Sequence, residues 1–188
     1  TIDTTPDPFS FTDVTLAAFN TLTTSNAVTI TGIDTATPVS VTGAGSPQIR
    51  INGGSWVTSG TITDGQSLQV RLTSANTSAT ANAATVTVGT VSDNWSVTTI
   101  DITPNAFSFT DVTGVNLNTL TTSTTITISG IDTPTSVSVS GDGSPRIRIN
   151  GGAWVTSGTI TSGQSLAVRL TSANAGSTAR SATVTVGS

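Results

Sequence analysis

The sequence predicts an all-β protein built as two tandem antiparallel β-sandwich domains, and three observations carry that prediction. Residues 1–90 and 99–188 are the same sequence at a fixed offset of 98, with 65 of 90 aligned positions identical and no gap. A repeat of that length is a whole domain, since solenoid units run to about 20–50 residues. More than a third of the chain is Ser or Thr, and the β-branched Thr, Val and Ile favour pleated strands while losing rotamer freedom in helices. Short stretches alternate apolar with polar residues between Gly, Pro, Asn and Asp, the pattern of half-buried strands joined by turns.

Each element follows in order. Phe9-Ser-Phe-Thr-Asp-Val14 alternates as a strand, and so does Phe107 to Val112 in the copy. Val28-Thr-Ile-Thr-Gly-Ile33 repeats the pattern and stops at Asp34, while Val39-Ser-Val41 runs into Gly43-Ala-Gly-Ser-Pro47. Ile49-Arg-Ile51 is closed by Asn52-Gly53-Gly54, a hairpin signal because Asn-Gly supplies the positive φ angles of a type I′ turn. Trp56-Val57 opens the returning strand, Asp64-Gly65 forms a second tight turn, and Leu68-Gln-Val-Arg-Leu72 alternates cleanly. Thr15–Ser25 and Thr73–Ala83 read as loops, Ala84–Val88 as a strand, and Val91–Thr98 as the closing strand. The expected inward set is Phe9, Phe11, Val28, Ile30, Val39, Val41, Ile49, Ile51, Leu68, Val70, Leu72, Val86 and Val88, with Trp56 (Trp154 in the copy) as the core anchor. Domain one is then 1–98 and domain two 99–188, the second without a counterpart of the closing strand. Pro104 and the absence of Gly at the junction imply a stiff joint.

Composition narrows the chemistry. The chain has no Lys, Glu, His, Cys, Met or Tyr; ten Asp and six Arg give a net charge of −4. Six scattered Arg make no basic stripe for phosphates, so nucleic acid is excluded as a partner. No apolar run approaches the roughly 20 residues of a membrane-crossing helix. Without Cys there is neither disulfide nor thiolate metal site, and a domain of about 100 residues must rest on its hydrophobic core. A Ser or Thr nucleophile lacks an imidazole or amine to activate it, so no enzyme is expected and no catalytic residue is assigned. The chain begins at Thr1 and ends at Ser188 partway through a repeat, which reads as a processed protein or a piece of a longer one.

The segments Phe-Ser-Phe-Thr-Asp-Val-Thr (9–15, 107–113), Thr-Ile-Thr-Gly-Ile-Asp (29–34) and Ile-Asn-Gly-Gly-x-Trp (51–56) carry a resemblance. With Gly-Thr-Ile-Thr-x-Gly-Gln-Ser-Leu-x-Val-Arg-Leu-Thr-Ser (60–74, 158–172), the chain resembles immunoglobulin-like tandem repeats of large secreted or surface proteins of bacteria, whose related modules also decorate phage virions and tails. The resemblance covers both repeats nearly end to end. It implies an Ig-like sandwich with a structural or adhesive role, and it brings no catalytic set.

Candidate sites remain few. Asp3, Asp93 and Asp101, with Asp7 and Asn94 nearby in sequence, lie near domain ends where calcium commonly stiffens tandem modules through oxygen ligands. There is no Asp-x-Asp-x-Asp run, and Asp ordinarily serves turns by bonding its own backbone; no cofactor is otherwise expected. Arg50, Arg71, Arg148 and Arg169 alternate with core residues and should point outward to pair with Asp or loop carbonyls, with ligand binding by the Arg pair as the alternative. Trp95, with no counterpart in the copy, is expected to pack at the domain junction. Asn76-Thr-Ser and Asn94-Trp-Ser match the N-glycosylation pattern. The combined reading is a non-enzymatic structural module of an extracellular filament, surface protein or adhesin stalk. Its partners would be neighbouring copies or further repeats, and the groove beside Ala182–Val186 is expected to be filled either by residues beyond Ser188 or by a strand donated from a neighbouring subunit. The alternative is a phage or cell-surface decoration module that recognises glycans through the Thr15–Ser25 or Thr73–Ala83 loops.

Overall fold

A computed structural model describes residues 1–187. The chain divides into two compact units, Thr1–Ile100 and Asp101–Ser188, and no helix occurs among the described residues. The first unit holds β1 (Val14–Ala17), β2 (Leu22–Thr24), β3 (Val28–Thr29), β4 (Thr37–Gly43), β5 (Gln48–Ile51), β6 (Trp56–Val57), β7 (Ser59–Ile62), β8 (Ser67–Thr73), β9 (Ala81–Val88) and β10 (Val91–Thr99). One sheet runs β1-β10-β9-β4-β7; the other runs β2-β8-β5-β6, with β3 also on β8. All pairings are antiparallel except β1 with β10, which is parallel. The second unit holds β11 (Leu120–Thr122), β12 (Ile126–Thr127), β13 (Thr135–Gly141), β14 (Arg146–Ile149), β15 (Trp154–Val155), β16 (Ser157–Ile160), β17 (Ser165–Thr171) and β18 (Ala182–Val186). Its sheets are β11-β17-β14-β15, with β12 on β17, and β16-β13-β18. Each unit is an all-β sandwich of two sheets.

Period-two alternation becomes packing directly. Along β8 the inward Leu68, Val70 and Leu72 are wholly buried while Ser67, Gln69, Arg71 and Thr73 are half-exposed. Across the sandwich they meet Val39, Val41, Ala84, Val86 and Val88 from the other sheet. The Asn52-Gly53 turn has φ of 46° and 75° and a Gly54 N–H to Ile51 carbonyl bond of 2.9 Å, which is the type I′ geometry that sets the β5–β6 register.

Three expectations are corrected here. Phe9–Val14 is not a strand up to Val14: Phe11 N–H donates to the Asp93 carboxylate and Thr12 N–H to the Asn26 side chain, each at 2.8 Å. The segment is extended, but side chains take the place of a ladder. Within Thr15–Ser25, β2 forms where a loop was expected, and Ser25 interrupts its pairing with β8 by accepting Val70 N–H on its hydroxyl at 3.0 Å. Trp56 is not the core anchor. It stands directly across from Arg50, and opposed residues share a sheet face, so it lies with the outward arginines; Trp154 does the same opposite Arg148.

The buried tryptophan is Trp95. Its side chain is fully enclosed within the core of the first unit rather than at a junction, and its indole N–H donates to the Thr12 carbonyl at 2.8 Å. A large apolar ring is thus buried with its one polar atom satisfied. The first boundary falls after Ile100 because Ile100 bonds back into its own unit, donating to Ala17 and accepting from Ala79.

Candidate functional site

The outward face of the Trp-bearing sheet gathers most of the chain's arginines. In the first unit, Arg50 on β5 and Arg71 on β8 place their guanidinium carbons 4.9 and 4.4 Å from the Trp56 ring centroid. Such stacking is favourable, at about 0.5–2 kcal/mol depending on solvent exposure. The remaining donors go to amides: Arg71 Nε and Nη2 both reach Gln48 Oε1, at 3.1 and 2.6 Å, and Arg50 Nη2 donates to Gln69 Oε1. Cross-strand register explains the choice, since Gln48 faces Arg71 and Gln69 faces Arg50. The partners are glutamine amides on the neighbouring strand rather than the expected Asp or loop carbonyls.

The second unit repeats the stack with different company. Arg148 and Arg169 lie 4.9 and 4.3 Å from the Trp154 centroid. Arg146 replaces Gln48 and Ala167 replaces Gln69. Arg146 therefore opposes Arg169 directly, and Arg148 opposes an alanine. Arg146, Gln48 and Gln69 were missed in the sequence, although the hairpin register and the aligned repeats together show paired changes on adjacent strands. Arg180 does not join this face. Like Asn82, which it replaces, it anchors the Thr171 (Thr73) carbonyl, at 3.1 and 2.8 Å respectively.

The three calcium candidates are separate caps. Asp3 Oδ1 accepts Thr5 N–H and Asp101 Oδ1 accepts Thr103 N–H, each at 2.8 Å. Asp93 holds Phe11 instead. The backbone N–H of Asp3 donates to Asp34, and that of Asp101 to Asp132, at 3.0 and 2.8 Å, which ties down the entry segment of each repeat. Among the described residues no three such side chains converge on a metal position. Asn76 and Asn94 are both exposed, the first in a loop and the second on β10.

No protein-family model matches the chain, and no curated protein matches it. Among solved structures, it is similar to the I9–I11 tandem of titin, at 12% identity over 95% of this chain and 61% of that one, with a TM-score of 0.29. It is also similar to domains 4–9 of the surface layer protein SbsC, at 15% identity over 99% of this chain and 29% of that one, with a TM-score of 0.32. At such scores neither likeness bears on function.

Proposed function

We propose that this chain is a non-enzymatic structural module, a tandem of Ig-like sandwiches that serves as a spacer in an extracellular filament, surface protein or adhesin stalk. The observation that carries the reading is the gapless duplication of an entire sandwich, in which turn lengths are kept and the Asp carboxylates are used to cap backbone N–H groups. A stalk needs elements that unfold one at a time and resist chemistry, and a chain without Cys, Met, His or Lys is inert to most of it.

Its neighbours on this reading are copies or further repeats of the same kind, joined by strand addition. β18 ends its sheet with no ladder partner beyond it among the described residues, whereas its counterpart β9 is paired along eight residues with β10. Phe109, Thr110 and Asp111 repeat the residues whose backbone or carboxylate atoms bind Asp93, Trp95 and Ser96 in the first unit. Gly187, at φ 78°, has the positive angle with which Gly89 opens the β9–β10 turn. Open sheet edges of this kind template a further strand.

Single-molecule stretching tests the spacer reading. Two separate unfolding events are expected, the second unit's at the lower force, each releasing about 90 residues, or about 300 Å of extended chain at roughly 3.4 Å per residue. Release at negligible force, or a single event spanning the chain, would remove the mechanical role.

A further inference from the structure

Beyond the spacer role, and standing or falling independently of it, the outer face of the second unit has the makings of a ligand site. Two substitutions distinguish it from the first unit. In the first unit the Gln48 and Gln69 amides occupy the guanidinium donors of Arg71 and Arg50. In the second, Arg146 and Ala167 stand in those places, so both acceptors are gone and a third positive charge is added. Like charges directly opposite one another weaken a sheet, yet Arg146 and Arg169 are placed so. None of the three guanidinium groups has a hydrogen-bonded or ionic partner among the described residues. Arg169 Nε, whose counterpart in Arg71 is bonded to Gln48 at 3.1 Å, is buried with nothing to donate to. The orphan of the first unit is Arg50 Nε, on a side chain still held by Gln69.

We propose that Arg146, Arg148 and Arg169, arranged around Trp154, bind the carboxylate groups of an acidic polysaccharide. Guanidinium forks match planar carboxylates two bonds at a time. The Trp154 ring holds two of the forks in place before any ligand arrives, which lowers the ordering cost of binding. Arg146 is exposed, and Arg148, Arg169 and Trp154 are half-exposed on an open sheet face. Such a face suits a polymer lying across it better than a small molecule, which needs an enclosing cavity. The chain's own carboxylates are poorer occupants. Eight of its ten, those of Asp3, Asp7, Asp13, Asp34, Asp64, Asp93, Asp101 and Asp132, already accept hydrogen bonds within their own units.

The double variant R146Q/A167Q tests the site while installing the first unit's own residues, so the sandwich has a working precedent; its melting curve verifies folding. Polygalacturonate and its fully methyl-esterified, neutral form are titrated into the full chain at low salt, with calorimetry for affinity and the arginine Nε–H resonances for location. The acidic polymer should bind and the esterified one should not. The double variant should lose roughly tenfold or more in affinity, the loss of one or two charge-assisted bonds. Arg146 and Arg169 signals should shift while those of Arg50 and Arg71 stay put. Equal affinity of parent and variant, equal response of both units, or no binding overturns the proposal. Concentration-dependent dimerisation that the double variant abolishes would assign the carboxylates to a second copy and overturn it likewise.

Discussion

The two units share most of their sequence and differ most in how they close. In the first, β10 lies between β1 and β9 and delivers Trp95 and Val97 to the core, both fully buried. Ala84, Val86 and Val88 on β9 are then sealed. In the second, the matching Ala182, Val184 and Val186 are only half-buried, and so are Val168, Leu170 and Phe109, whose counterparts Val70, Leu72 and Phe11 are buried. No strand forms at 112–115, the positions that match β1, and Val112 and Val115 are 51% and 39% exposed. That stretch also differs in sequence, Gly114-Val-Asn-Leu117 against Leu16-Ala-Ala-Phe19. The lesson is cooperative: β1 has β10 as its ladder partner, so one strand decides both the second sheet edge and the burial of residues it never touches in sequence.

Removing the centre of that closure should have the largest effect. Trp95→Ala is expected to cost the first unit about 3–5 kcal/mol, as for other large buried aromatics, and to leave the second unit's transition in place. Separate thermal transitions followed by residue-resolved hydrogen exchange decide it. If both units soften equally, the cores are not independent.

The converse change should nearly erase the difference between the units. Appending a copy of Val91–Thr99 after position 188, which itself matches Thr90, is expected to stabilise the second unit by about 2–4 kcal/mol, the yield of burying one or two large apolar side chains. The Ala182–Val186 amides should gain exchange protection to match β9. An unchanged second transition, with the appended residues exchanging freely, would show that β18 is not an acceptor edge.

Trp56→Ala and Trp154→Ala should each cost much less than Trp95→Ala, about 1–2 kcal/mol, because each removes two arginine stacks from a half-exposed face and leaves no cavity in the core. Denaturant titration of the three variants ranks them; a Trp56 loss as large as that of Trp95 would contradict its outward placement.

The smallest expected effects lie on the arginine face and differ in sign between units. Gln48→Ala should destabilise the first unit by about 1 kcal/mol through lost hydrogen bonds to a charged group, reduced by partial exposure. Arg146→Gln should stabilise the second by about 0.2–1 kcal/mol by relieving a like-charge pair. High salt should shrink the Arg146→Gln gain, because exposed charges are screened. A gain insensitive to salt would assign it to packing.

Much of this molecule was legible in its residues alone. The 98-residue offset, the alternation along Leu68–Leu72 and the Asn52-Gly53 turn determined two β-sandwiches, their turns and most of their core, because local sterics and period-two burial act on neighbours in sequence. The closing strand was legible too, but the facing of the hairpin and the parallel pairing of β1 with β10 were not local. Trp56 looked like a core anchor because it is large and apolar, but its side of the sheet was fixed by the residue it faces across the hairpin, Arg50. Phe9–Asp13 had the strand pattern, yet its N–H groups went to Asp93 and Asn26, 82 and 14 residues away for Phe11 and Thr12. The arginine site needed both kinds of information: aligned repeats show that Gln48 and Gln69 changed, and only the paired strands reveal that each change removed the acceptor of the guanidinium opposite.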